Sequence, residues 1–454
     1  MTQVEHLARF VVEASFKQLT PPQAHELKIR VLDSLGCALG ALGQGPMPLI
    51  RRQTEDFGGR EICSLIGGGK SAPDRAAFYN GALVRYLDFN DSYLAKSETC
   101  HPSDNLAAAL AAAQYAEAGG RDLLTALAVA YQVQCRLSEA APVRSRGFDH
   151  VTQGAYAAAA GVSKALKLDA RQTAHAIAIS GAAFNALRVT RTGKLSHWKG
   201  LAYPNTAFGA SHAAFLAMRG VTGPLEVFEG NKGFMDAISG PFEIDWEREG
   251  LDRVMKTILK RHNAEIHSQS CVECVLDLRR EGVQPKDLRS LEIRIFDVAY
   301  HIIGGGEEGS KLHVSTKEEA DHSLPYIAAV ALLDGEVGPP QYAPKRIQAS
   351  DVQTLLPKIS VQPAPDYSGR FPDEMPCSVS ARLADGRVLD RERRDYPGFF
   401  TSPLPWSAVV EKFDRLAAPH VASEVRSDIV DAVAQIDQIP VSELAGLLEK
   451  ARSR

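Results

Sequence analysis

Apolar residues recur at helical spacing from the start of the chain. Val4, Leu7, Phe10, Val11 and Ala14 fall on one face over residues 4–17, the 3.6-residue period of an amphipathic helix. Thr20-Pro21-Pro22 then opens a second helix, because proline is tolerated in a first turn. Leu27, Val31, Leu32 and Leu35 carry its apolar face, and it closes through Gly40 and Gly43. Residues 61–72 hold a short apolar run and a glycine-rich turn, and the periodicity predicts helices at about 74–87, 105–118, 122–140, 152–167, 171–187 and 205–219. Several are built from alanine and glycine, as in Leu106-Ala-Ala-Ala-Leu-Ala-Ala-Ala. Helices apolar all round are buried, and small side chains let them approach closely within a bundle.

The period changes near residue 285. Ser290-Leu-Glu-Ile-Arg-Ile-Phe alternates with period two, a strand signal, and Pro357-Lys-Ile-Ser-Val-Gln reads as another. Cys377 to Leu383, Asp385-Gly386 and Arg387 to Arg391 read as a hairpin, Asp-Gly being a favoured two-residue turn. Residues 319–334 are helical, led by Asp321-His322-Ser323, and the chain is helical again after Pro403-Leu-Pro405. The expected fold is mainly α. A large all-helical domain spans 1–265, a smaller α+β domain spans 266–400, and C-terminal helices over 401–454 return to the first domain. No fixed repeat period suggests a solenoid.

A length of 454 residues makes two domains the natural division. A net charge of −4, with no basic run interleaved with aromatics, argues against a nucleic-acid partner. An anionic ligand must then be met by a local cluster of cations. The N-terminus has no cationic and apolar leader, and no stretch of about 18 apolar residues occurs, so neither a signal peptide nor a membrane span is expected. Seven scattered cysteines fit buried thiols in a reducing cytoplasm.

Candidate chemistry concentrates in residues 85–105, where Asp88, Asp91, Ser92 and His101 fall in one helix-breaking segment between two alanine-rich helices. A polar loop fixed by rigid helices is a common way to hold catalytic groups. The plainer reading is a connector in which Ser103 and Asp104 cap the next helix. His150 opens a helix after Gly147-Phe148-Asp149, and His197-Trp198-Lys199-Gly200 opens another loop. Lys260, Arg261, His262, Glu265 and His267 crowd one short span. Each alone reads more simply as a solvated or core residue. As a set they supply the cations and imidazoles that a pocket for a multiply charged carboxylate requires.

Other motifs fall away. Gly67-Gly-Gly-Lys70-Ser71 lacks the first glycine of a phosphate-binding loop, Ser64 standing there. Gly304-Gly305-Gly306-Glu307-Glu308-Gly309 satisfies the dinucleotide spacing, but no helix opens there and two glutamates would face a pyrophosphate. Cys271-Val-Glu-Cys274 has no second pair to complete a zinc site. With no carboxylate–histidine cluster at metal-ligand spacing and no Gly-x-Ser-x-Gly elbow, the sequence favours metal-free acid–base chemistry.

Asp88-Phe-Asn-Asp91-Ser92 and His101-Pro-Ser-Asp104-Asn, with Phe148-Asp-His150, Trp198-Lys199-Gly, Lys260-Arg261…Ala264-Glu-Ile-His267 and Ala320-Asp-His322-Ser-Leu-Pro-Tyr326, resemble the MmgE/PrpD family over about residues 5–440. That family includes 2-methylcitrate dehydratase and cis-aconitate decarboxylase. The resemblance implies a helical domain with an α+β lid, a homodimer, and neither a metal nor an iron–sulfur cluster nor another cofactor. It places Asp88, Ser92, His101, His150, Lys199, Lys260 and Tyr300 in the family's pocket. Where decarboxylase-type members have Phe-Pro-Ala-His, this chain has His262-Asn-Ala-Glu265-Ile-His267, and its His267-Ser268-Gln269-Ser270 form looks more like the dehydratases. The expected activity is therefore dehydration of 2-methylcitrate or citrate, within propionate metabolism for the former. Asp88 and His101 are the candidates for the base and its orienting partner, and His150 or Tyr300 for the acid. Lys199, Lys260 and Arg261 would hold the carboxylates, beside Ser92. Rival expectations are a cis-aconitate decarboxylase, an epimerase of an iminodisuccinate-like acid, a non-catalytic carboxylate binder on the same scaffold and, more remotely, a nicotinamide enzyme.

Overall fold

The computed structural model describes residues 1–306 and 309–451. The chain divides into two compact units. The first comprises Met1–Thr190, Gly200–Thr257 and Pro405–Arg454, and the second Arg191–Lys199 and Ile258–Leu404. The sequence reading set its divisions at 265 and 400 and had no signal for 191–199 as a separate piece.

The first unit is helical. Helix Pro21–Gly40 starts in a capping box, in which Gln23 N–H donates to Thr20 Oγ1 at 3.4 Å and Thr20 N–H donates to Gln23 Oε1 at 2.8 Å. Helix Leu106–Tyr115 packs against Pro73–Tyr86, Gly120–Ala140 and Val151–Ala165, and its run Leu106 to Ala113 is buried throughout. Alanine permits that approach on every side. Glycine is required at one crossing, because a Cβ on Gly154 would lie 2.3 Å from Tyr203 Cε2. The Tyr203 hydroxyl, so placed, donates to Asn105 Oδ1 at 2.7 Å at the head of helix Leu106–Tyr115.

Two expectations are corrected here. Ser103 and Asp104 cap no helix. They lie inside a 3₁₀ turn, Pro102–Asn105, and bond back to the preceding loop. Trp198, Lys199 and Gly200 form no loop either, but open helix Trp198–Met218, which runs through Pro204. Proline at that position forfeits one bond to the carbonyl of Gly200, and it packs against Gly81, where even a Cβ would stand in ordinary contact at 3.6 Å.

The second unit carries a four-stranded sheet. Strand Leu288–Ile295 is central, parallel to Ile359–Pro363 on one side and antiparallel to Cys377–Leu383 on the other, with Val388–Arg393 at the edge. Leu291, Ile293 and Ile295 alternate inward, the period-two pattern of a half-buried strand. The hairpin turn is one residue longer than expected. Gly386 N–H donates to Leu383 O at 3.1 Å with Gly386 at φ +92°, a type I turn closed by a left-handed glycine. Helices Gln269–Arg280 and Leu324–Asp334 pack on each other, and the first also covers Cys377–Leu383 and Val388–Arg393. Ser323 caps the second, accepting from Tyr326 N–H at 3.1 Å.

Between strand Leu288–Ile295 and the glycine run stand a helical turn, Asp297–Ala299, and a π-turn, Tyr300–Gly304. Glu307 and Glu308 of that motif lie outside the described residues. All seven cysteines are buried, Cys271 and Cys274 within helix Gln269–Arg280. Among the described residues no helix is long and apolar enough to cross a membrane.

Candidate active site

Helix Pro73–Tyr86 ends where the polar segment begins, and Arg85 and Asp88, three residues apart, meet at that end. Arg85 Nη1 donates to Asp88 Oδ1 at 2.7 Å, and Arg85 Nε lies 3.6 Å from Asp104 Oδ2. All three groups are buried. Asp88 has φ +55°, a left-handed conformation that costs a non-glycine residue and persists where its surroundings enforce it.

Beyond it a small antiparallel ribbon forms, Tyr93–Leu94 on Thr99–Cys100, in the register Tyr93 to Cys100. The ribbon brings its flanking residues together. Ser92 Oγ lies 3.0 Å from His101 Nδ1, and the Asp91 carbonyl lies 2.8 Å from the same nitrogen. A carbonyl only accepts, so Nδ1 carries the proton, and in the neutral ring the lone pair is on Nε2. His101 is thus oriented by the Asp91 backbone and the Ser92 hydroxyl, and Arg85 binds the Asp88 carboxylate.

The Asp91 carboxylate has a different task. Oδ1 accepts from Ser103 N–H at 3.0 Å and Oδ2 from the Tyr131 hydroxyl at 2.8 Å, with Arg30 Nε 3.9 Å away. Asn90 Nδ2 reaches Ser103 Oγ at 2.9 Å and Asp104 Oδ1 at 2.8 Å. Burial raises the Asp91 carboxyl above its usual range although Arg30, Ser103 and Tyr131 all favour its charge, and burial also pushes the Tyr131 phenol well up. Asp91 therefore ties the 88–105 segment together from inside.

His150 stands at the head of helix Val151–Ala165, with Nδ1 3.0 Å from Asp149 Oδ1. Its Nε2 is buried, with no hydrogen-bond partner among the described residues. The rings of His101 and His150 meet edge to face, centroids 5.3 Å apart. Both imidazoles are anchored through Nδ1, an arrangement that suits one to take a proton and the other to give one.

The second unit also holds a polar cluster. Lys199 Nζ lies 2.7 Å from Asp321 Oδ1 and 2.9 Å from His322 Nδ1, and Lys317 Nζ lies 2.6 Å from Asp321 Oδ2. Arg191 Nη1 donates to the Lys199 carbonyl at 2.8 Å. Burial pushes the Asp321 carboxyl up, but Lys199, Lys317 and His322 together hold it well below the usual range. Lys260 is 1 % exposed. The Glu265 carboxyl, which burial would raise, is held low by His267, His322 and Lys260. Glu265 Oε1 meets His267 Nδ1 at 2.7 Å, and Oε2 accepts from His267 N–H at 2.8 Å.

The structure thus joins Ser92, His101 and His150, and pairs Asp88 with Arg85, in the first unit, and brings Lys199 and Lys260 to one electrostatic neighbourhood in the second. Arg261 sits elsewhere in that unit. Its side chain is 47 % exposed, with Nε 3.5 Å from Glu273, which also accepts from His262 at 2.8 Å. Tyr300 is half-buried in its π-turn with its ring on His301. The sequence reading passed over Arg85, Asp321 and His322. Arg85 carried a usable signal, its i,i+3 spacing to Asp88 at a helix end. The Asp-His dipeptide was visible, but its pairing with Lys199, 122 residues away, was not.

Comparison with known proteins adds to this geometry. The family model for the MmgE/PrpD N-terminal domain matches residues 5–247, and that for the MmgE/PrpD C-terminal domain matches residues 262–438. Cis-aconitate decarboxylase of Mus musculus is 24% identical over 465 residues, covering 96% of this chain and 91% of its own. The 2-methylcitrate dehydratase of Escherichia coli (strain K12) is 26% identical over 461 residues, covering 92% and 91%. The mitochondrial 2-methylcitrate dehydratase of Yarrowia lipolytica is 29% identical over 398 residues, covering 81% and 74%.

Proposed function

Since the chain belongs to the MmgE/PrpD family, we propose that it is a hydro-lyase that dehydrates a citrate-like tricarboxylate, most simply 2-methylcitrate or citrate. The reading rests chiefly on the paired imidazoles of His101 and His150, each anchored through Nδ1. A base takes the proton from the carbon α to a carboxylate, and the C–H electron pair becomes the new C=C bond. An acid protonates the hydroxyl, whose C–O bond breaks to release water. His101, as the Nδ1–H tautomer, is the base in this scheme, with the Ser92 hydroxyl beside it, and Asp88, paired with Arg85, is assigned to the same machinery. His150 is the acid, and Tyr300 is the alternative. Negative charge grows on the carboxylate next to the lost proton, so fixed cations lower the barrier. Lys199, Lys260 and Arg261 are the cations assigned to that role. Asp321 keeps Lys199 in one orientation.

The relatives' names support the substrate class. The dehydratases are named for 2-methylcitrate, and the decarboxylase is the relative that supports a second reading, loss of CO₂ from cis-aconitate. The test is the rise of ultraviolet absorbance from a conjugated alkene when 2-methylcitrate is added to the protein, repeated with His150→Ala. Turnover that falls on the order of 10²-fold or more in the variant supports the reading. Equal turnover in both would remove the imidazole pair from the mechanism.

A further inference from the structure

We propose that Lys412, on the C-terminal helix Trp406–Ala417, is the positioning residue that holds the Asp88–Ser92 segment in its strained, working conformation. The inference rests on the reading of that segment as catalytic, and deepens it. Lys412 lies 379 positions after Asp33 and 323 after Phe89 (412 − 33 and 412 − 89), yet its ammonium meets both. Nζ donates to the Phe89 carbonyl at 2.8 Å, lies 3.7 Å from the centroid of the Phe89 ring and 2.6 Å from Asp33 Oδ1 on helix Pro21–Gly40. Lys412 is 3 % exposed, and Asp33 and Phe89 are 1 % exposed each. A buried ammonium is retained only where its charge and donors are met, and Lys412 directs two of its interactions at one residue of the site loop.

The position of that residue gives the contact its meaning. Phe89 follows Asp88, whose φ of +55° is the strained point of the segment. A conformation of this kind relaxes unless it is held from both sides. Arg85 grips the Asp88 side chain on one side. On the other, Lys412 fixes the Phe89 carbonyl, and so the plane of the next peptide, from which Asn90, Asp91 and Ser92 lead to His101. If Lys412 served only to neutralise Asp33, neither the carbonyl bond nor the ring contact would be needed. The cation also favours the face of the Phe89 ring, which fixes that side chain as well as the backbone.

The test separates tethering from charge neutralisation. Asp33→Asn removes the carboxylate but keeps a lysine on Phe89. Asp33→Asn/Lys412→Met removes both charged groups and leaves no unpaired buried charge. Two readouts are taken on the full chain, amide hydrogen exchange over residues 88–92 and kcat and KM with 2-methylcitrate. The double variant should exchange faster over 88–92 than the single variant, and kcat should fall on the order of 10- to 100-fold with KM little changed, the loss expected when a reacting group is misplaced. Equal exchange over 88–92 in both variants would overturn the tether. Faster exchange with an unchanged kcat would overturn the positioning role and leave a structural one. Should the wild-type protein not turn over 2-methylcitrate, the proposed function fails, and the exchange comparison alone still decides whether Lys412 holds the loop.

Discussion

Asp88 carries two burdens, a left-handed backbone and a buried charge paired with Arg85, and substitutions can separate them. Asp88→Gly relieves the backbone and Asp88→Ala does not, so the glycine variant should be the more stable by about 1–2 kcal/mol in denaturant unfolding. Both should lose activity if the carboxylate serves catalysis. Equal stability would mean that the segment relaxes when the carboxylate leaves Arg85. His101→Ala removes the proposed base. Its kcat should fall by about 10²–10⁴-fold with a melting temperature near that of wild type, and near wild-type turnover would remove His101 from the mechanism. At this scale the sequence was informative about identity. Asp88, Ser92 and His101 stood out as reactive types in one helix-breaking stretch. It was silent about orientation, because the ribbon that brings Ser92 to His101 has two residues per strand, too few for a period-two pattern to register.

Among elements, the head of helix Leu324–Asp334 is where charge and stability are coupled. Asp321 and Glu265 have carboxyls held below their ordinary values of 3.8 and 4.5. A carboxyl with a lowered folded pKa adds stability wherever it is ionised, and that stability is lost as pH falls from the ordinary value through the folded one. The second unit should therefore lose stability below about pH 4.5. Asp321→Asn should lower the melting temperature most at neutral pH, with the gap to wild type closing on acidification. A gap that stayed constant with pH would contradict the pairing with Lys199 and Lys317. Asp91 has the opposite sign. Its raised folded pKa favours the neutral acid, so its contribution is full below 3.8 and is lost as pH rises through the folded value. Helix packing makes a separate claim at Gly154, where Gly154→Ala should cost about 1–3 kcal/mol by forcing Tyr203 off Asn105. Element types were largely legible, since long periodic runs determine them. Helix Trp198–Met218 was not, because Pro204 reads as a break.

For the whole molecule, the change of period near residue 285 marked a helical part followed by a mixed one, and the return to helix after Pro405 marked the closing segment. The first unit does gather its chain from three separated stretches, the last beginning at Pro405. Segment 191–199 grouping with the second unit was beyond reach, because only contacts distant in sequence, such as Lys199 with Asp321, define it. The central claim at this scale is the reaction, loss of water from a citrate by the protein's own acid and base groups. It is tested most directly by proton NMR of the full chain, treated with EDTA, incubated separately with 2-methylcitrate, citrate, cis-aconitate and iminodisuccinate. The account predicts that a citrate is consumed, either through loss of the 2-methylcitrate methyl doublet to an alkene product or through a new vinyl proton from citrate. Itaconate from cis-aconitate, with both citrates untouched, would contradict it in favour of decarboxylation, and a folded protein inert toward both citrates would contradict it outright.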